Sequence, residues 1–225
     1  MTSNRHNEGS VPGRGSTDAL LDAAREVVLA VGVRRTTLTD VARRAGLSRM
    51  TVYRHWPDVR SLVADLMTRE WVAVAGRFAS DDPVTAAVGA VRALRGHPLW
   101  RKIVEVDPEL LLPYLLDRRG SSHDAMLALA ESAIVRGQAA GTVRPGEARP
   151  MARAVLLTAQ SFLLSGATML DPAAPDAPSG PADPPALPGP ADPPAPSGPA
   201  VPARPVTEDA LDAELTTLLE RYLSP

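Results

Sequence analysis

Apolar residues recur along this chain at helical spacing, and glycines, prolines and short polar caps divide the recurrences into separate elements. Leu20, Leu21, Ala24, Val27, Val28 and Val31 follow the i, i+4, i+7, i+8, i+11 pattern of one helical face, and Gly32 suits a left-handed stop. Thr37, with Asp40 three residues later, starts a second, short helix in the manner of a capping box. Its apolar face is Leu38, Val41, Ala42 and Ala45, and Gly46 ends it. Ser48 caps a third, whose inner face is Val52 and Trp56. Pro57 stops that helix and Asp58 caps the next, a long one carrying Leu62, Val63, Leu66, Met67, Trp71, Val74 and Phe78.

The pattern stays helical beyond. Asp82-Pro83 opens a helix that runs to Gly96, Pro98, Pro108 and Pro113 punctuate shorter pieces, and Gly141 closes Ser122–Ala140. Arg149–Leu170 is long and very apolar. No stretch alternates apolar and polar residues over a strand's length, so the expected fold class is all-α.

Two segments break the pattern. Residues 1–15 are Gly-, Ser- and Asn-rich and are expected to be a disordered tail. Residues 171–206 hold 14 of the 23 prolines and repeat GPADPPA at Gly180 and Gly189. With one Leu and so little else to bury before Pro205, this segment is expected to be a disordered loop. A final amphipathic helix follows, capped by Thr207, with Leu211, Leu215, Leu218, Leu219 and Tyr222 as its stripe and Glu208, Asp212, Glu214, Thr217 and Glu220 opposite.

Composition narrows the function. The chain has 225 residues and no cysteine, which removes disulfides, thiolate metal sites and thiol nucleophiles. No apolar run approaches the roughly 18 residues of a membrane span, and the N-terminus lacks the apolar middle of a signal peptide, so the expected location is cytoplasmic. No catalytic triad, paired carboxylates or phosphate-binding glycine loop is recognisable, so an enzyme is not expected, and no cofactor or metal site is evident. His123 and Asp124 are adjacent and point apart on a helix.

Charge adds the sharpest clue. Net charge is −2 overall, yet Met1–Arg60 carries ten arginines against six acids. Between Arg34 and Arg60 the balance is seven arginines to two acids. A basic head on an acidic body points to a polyanion contact confined to the head. Leu38–Trp56 also has helix-turn-helix spacing: small Ala42 where two helices cross, Gly46 in the turn, Val52 in the angle. In such motifs the second helix enters the major groove. Its outward residues here are Arg49, Met50, Thr51, Tyr53 and Arg54.

The run TTLTDVARRAGLSRMTVYRHWPDVRSLV resembles the DNA-binding domain of the tetracycline-repressor (TetR) family of bacterial regulators. The resemblance covers about Ser16–Val63, with the Thr before the second helix, the Ala-Gly turn, the Ser that starts the third, and Thr51-x-Tyr53-x-His55-Trp56-Pro57. The family usually has Phe where Trp56 stands. It often has a phosphate-gripping Lys where this chain has Val59; Arg60 is the candidate substitute, rotated about 100° around the helix.

The resemblance implies a three-helix helix-turn-helix DNA-binding domain at 16–60, then a helical ligand-binding and dimerisation domain at 61–225. It implies that Arg49, Met50, Thr51 and Arg54 face the groove of double-stranded DNA, while Thr37, Tyr53 and His55 face phosphates. It also implies a homodimer built on the last two helices, for which Val155, Phe162, Leu163, Leu211, Leu215, Leu218, Leu219 and Tyr222 are the candidate residues. Met67, Trp71, Phe78, Trp100, Leu111, Met126, Leu127 and Phe162 are candidates to line an effector pocket, and serve equally as packing in a core with few aromatics. His97, Tyr114, His123, Gln138 and Gln160 are candidate polar anchors for a small-molecule effector. The function expected is a homodimeric repressor released from an inverted-repeat operator by an effector. The alternative is a DNA-bound adaptor of the same fold without one.

Overall fold

The computed structural model describes residues 14–80, 82–112, 119–172 and 205–225. The expected tail, most of the proline-rich segment and Tyr114 lie outside them, apart from the tail's last two residues, which belong to the first helix. Every regular element among the described residues is a helix: α1 (Arg14–Val31), α2 (Leu38–Ala45), α3 (Arg49–His55), α4 (Val59–Arg77), α5 (Pro83–Arg95), α6 (Pro98–Val106), α7 (Ser121–Ala140), α8 (Ala148–Ser165) and α9 (Glu208–Leu223). Short 3-10 turns cover Pro108–Leu110 and Gly166–Met169, the second replacing the last turn of helix expected before Leu170.

Local chemistry sets the breaks. Thr37 Oγ1 accepts from Asp40 N–H and donates back to the Asp40 carboxylate, while Gly46 takes the left-handed conformation at φ 66°. Ser48 Oγ accepts from Thr51 N–H, and Asp58 accepts from Ser61 N–H at 2.8 Å. That last bond is the main reason the Asp58 carboxyl titrates below its ordinary range. Each cap satisfies a backbone donor that the first helical turn leaves unpaired.

Packing divides into two clusters. The first joins α1–α4 to α6 and includes Val41, Val52, Trp56, Leu66, Trp71 and Ile103. Because α4 and α6 share this cluster with the first three helices, the head and body have a common core. The second cluster joins α5, α7, α8 and α9 around Ile134, Met151, Leu215 and Leu219. Polar ties reinforce the head: Arg25 pairs with Glu70, Arg69 with Asp22, and Arg44 with Glu26. Between the two halves, Asp107 is fully buried and accepts from Val33 N–H at 2.7 Å.

The last helix corrects two expectations. Asp212, placed on its solvent face by the pattern, is 2% exposed and accepts from Arg92 Nε at 2.9 Å and Arg95 at 3.1 Å. The inward stripe is therefore Asp212, Leu215, Leu219 and Leu223. Val155, Leu215 and Leu219, expected at a subunit interface, are buried within the chain's own second cluster. Phe162, Leu163 and Tyr222 pack partly against it, and Tyr222 also lies 4.7 Å beneath the Arg144 guanidinium.

Candidate functional site

The helix-turn-helix is built from small cores and free edges. Val52, fully buried, fixes α3 against α2, and Trp56 closes its C-terminal end. The opposite face of α3 carries Arg49, Met50, Tyr53 and Arg54, all exposed, with Thr51 half-buried. Met50 is 76% exposed, an apolar cost that a groove contact with a thymine methyl would offset.

Charge pairing divides the arginines of the head into two groups. On α2, Arg43 pairs with Asp40 and Arg44 with Glu26. Among the described residues no carboxylate pairs with Arg35, Arg49 or Arg54. These unpaired guanidiniums share the head with Arg60, exposed in the first turn of α4. Arg35 went unremarked in the sequence; its place in the turn before the α2 cap was the available signal.

Two expected phosphate contacts look different in place. Thr37 is exposed, but its hydroxyl is already committed to Asp40 in both directions. His55 is half-buried; its Nε2 is buried without a partner among the described residues and its ring lies 5.4 Å from that of Trp56. In this conformation Nε2 is not presented to a phosphate. Tyr53, half exposed, keeps its hydroxyl available.

Above this head lies a cavity of about 630 Å³, bounded by α4, α5, α7 and α8. Of the candidate pocket residues, Met67, Trp71, Trp100, Leu111 and Met126 form its wall. Phe78, Leu127 and Phe162 do not: Phe78 packs over Gly89, where a Cβ has no room, and the other two join the second core cluster. Among polar candidates, His123 and Gln160 reach the wall, and their Nε2 atoms are 2.6 Å apart. Burial holds the His123 imidazole below its ordinary pKa, opposed by Asp124 and aided by Arg119. His97 instead sits edge-on to Trp71 and near Glu70, and Gln138 donates to the Arg144 and Gly146 carbonyls.

The wall has a lower boundary that the sequence did not suggest. His55 and Trp56, at the end of α3, belong to it together with Asp65 on α4. Trp56 Nε1–H donates to Asp65 Oδ2 at 2.8 Å. No helix of the described residues is long and apolar enough to cross a membrane.

Comparison with known proteins agrees with this geometry. Residues 20–66 match the family model described as bacterial regulatory proteins, tetR family. An uncharacterized HTH-type transcriptional regulator of Mycobacterium tuberculosis is 37% identical over 163 residues, spanning 69% of this chain and 85% of that protein. Its counterpart in Mycobacterium bovis matches to the same extent. The fold is similar to that of the R. erythropolis transcriptional repressor QsdR, at TM-score 0.60 and 13% identity over 95% of this chain and 98% of that one. Salmonella enterica GusR aligns over the same shares at TM-score 0.54 and 15% identity.

Proposed function

Because the chain belongs to the TetR family of bacterial transcriptional regulators, we propose that it is a homodimeric repressor whose grip on an inverted-repeat operator is released by a small molecule bound in the cavity. The observation that carries the proposal is the double membership of His55 and Trp56. They end the reading helix and also form part of the cavity wall. A ligand that favours one placement of these residues shifts the population of the DNA-binding conformation, in proportion to its differential affinity for the two states.

DNA is held in two ways under this reading. Arg49, Met50, Thr51 and Arg54 read base edges, while Tyr53, Arg35 and Arg60 grip phosphates and set register. Two copies place two reading helices one helical turn of DNA apart, which dictates a two-fold symmetric operator.

The subunit contact is drawn from α8 and α9. Leu157 and Leu218 are 67% and 49% exposed, the large apolar side chains left open on α8 and α9. A two-fold axis beside them buries both at once, with half-buried Leu211 adjoining. Strand protection of the DNA flanking the gene tests the proposal. A protected inverted repeat is expected; unsymmetric or sequence-independent coverage contradicts it.

A further inference from the structure

The outward arc of α3 is chemically lopsided. At about 100° per residue Arg49, Tyr53, Met50 and Arg54 follow one another around it, and buried Val52 lies about 160° from Met50. Met50 therefore stands within the reading face, between the guanidiniums of Arg49 and Arg54, neither of which pairs with a described carboxylate. At 76% exposure it is the most open of the large apolar side chains among the described residues. A lone exposed methionine is ordinary on a protein surface. This one is set apart by its place among unpaired cations in the first turn of the helix that meets DNA.

Each base shows the major groove a different set of groups. Guanine offers two acceptors, thymine an acceptor and a methyl, while cytosine and adenine offer amino donors. Asp or Glu accepts from the cytosine amino group, and Asn or Gln pairs with adenine. The seven residues of α3, RMTVYRH, include none of these four. The hydroxyl of Thr51 is drawn back into the helix cap, 2.8 Å from Ser48 Oγ, which also takes the Thr51 N–H. His55 Nε2 is buried. With Tyr53 on a phosphate, the arc presents two donor forks flanking one apolar tip.

That combination has a match. The O6 and N7 atoms of guanine accept two N–H groups of one arginine, and the thymine methyl is the apolar group on the major-groove edge. Seating the methionine tip on that methyl removes both from water, and the unbranched thioether is flexible enough to follow the groove. Neighbouring Cα atoms are about 3.8 Å apart and base pairs about 3.4 Å, so residues adjacent in the first turn reach base pairs one or two steps apart.

We propose that Met50 is a specificity-determining residue that selects thymine through its methyl group in each operator half-site, within two base pairs of a guanine held by Arg49. This deepens the assignment of α3 as the base-reading helix and rests on it.

Modified bases test the proposal on the full-length protein and the operator duplex found by strand protection. Deoxyuridine in place of thymidine removes the methyl and keeps the pairing; 7-deazaguanine removes only the N7 acceptor. Thymines are replaced one symmetric pair at a time. One pair is expected to cost about tenfold in affinity, the scale of one buried methyl in each of two half-sites. Met50→Ala is expected to bind the unmodified operator at least about tenfold more weakly and to show no further loss with deoxyuridine at that position. 7-Deazaguanine within two base pairs of it is expected to weaken the unaltered protein and Met50→Ala alike, and to leave Arg49→Ala unmoved. Both side chains are exposed, so the variants should keep the circular dichroism and melting temperature of the unaltered protein. Equal deoxyuridine sensitivity in Met50→Ala overturns the proposal, because the methyl then acts through the shape of the DNA whatever residue faces it. A 7-deazaguanine loss that Arg49→Ala shares in full, or no such loss near the sensitive thymine, overturns its guanine half. Two further failures are distinguishable. If Arg49→Ala and Met50→Ala both bind every duplex as the unaltered protein does, α3 does not read bases and the reading beneath this one falls with it. If both variants lose operator affinity while every deoxyuridine is tolerated, α3 reads bases and the thymine contact alone falls.

Discussion

The indole of Trp56 donates to the carboxylate of Asp65 across 2.8 Å, tying the C-terminal cap of the reading helix to the second turn of α4. Phenylalanine at this position would keep one aromatic ring, lose the bond and leave part of the indole's buried volume empty. Trp56→Phe is expected to lower stability by about 1 kcal/mol for the bond, since Asp65 is exposed and regains water, with the cost of the smaller ring added to it. Its fuller effect is expected on coupling, with operator affinity less responsive to a bound ligand than in the unaltered protein. Denaturant unfolding and operator titration, with and without ligand, check the two parts separately. Unchanged stability together with unchanged responsiveness would leave the bond without a role.

Leu157 and Leu218 are expected to lie at the subunit contact, whereas Leu215 and Leu219 hold the chain's own core. Leu157→Arg with Leu218→Arg should give a folded monomer with much weaker operator binding. Leu215→Arg should unfold the body, because it buries an unpaired charge in the second cluster. Sedimentation beside circular dichroism distinguishes these outcomes. A folded monomer from Leu215→Arg would reverse the assignment.

The contrast between those leucines marks where sequence reasoning stops. Helices were legible because their signals are local: Thr37, Ser48, Asp58 and Thr207 cap within three residues, and Gly46 and Gly141 stop by taking positive φ. The outward face of α3 was legible for the same reason. An apolar stripe, however, records only that burial is wanted, not whether the cover is the same chain or a second copy. Asp212 was misplaced because its partners, Arg92 and Arg95, lie 120 and 117 residues away. The same distance in sequence hid the buried bond from Val33 to Asp107, which joins head to body. For the cavity, residue type found five of eight wall candidates; Phe78 escaped because its neighbour Gly89 offers a closer seat.

Half-buried His123 makes stability depend on pH. Its folded-state pKa is held below the ordinary 6.5 by desolvation first, with Arg119 lowering it and Asp124 raising it. As pH falls through 6.5 the unfolded chain takes a proton that the folded chain still refuses. Stability present above that value is therefore lost below it. His97, also depressed by burial, acts in the same direction. Melting temperature should fall between pH 7 and about 5.5, and His123→Gln should flatten part of that fall. An equally steep decline in His123→Gln would remove His123 from the account.

The described ends of the proline-rich segment meet at one point. Asp171 N–H donates to the Val206 carbonyl at 3.1 Å, and Val206 N–H donates to the Asp171 carboxylate at 2.8 Å. Replacing residues 173–204 by a short Gly/Ser linker should therefore preserve melting temperature and the dimeric state. A large drop in melting temperature, or loss of the dimer, would mean that the replaced residues contribute packing of their own.

The claim on which the rest depends is that α3 reads base pairs, and Arg49, exposed in its first turn and paired with no described carboxylate, is the residue that tests it best. The measurement is a titration of the unaltered protein and Arg49→Ala against the protected operator and a scrambled duplex at one fixed salt concentration. The account predicts a loss of about 1–3 kcal/mol on the operator, traceable to one base pair in each half-site, with little change on the scrambled duplex. Equal weakening on both duplexes, or no weakening on either, would contradict it.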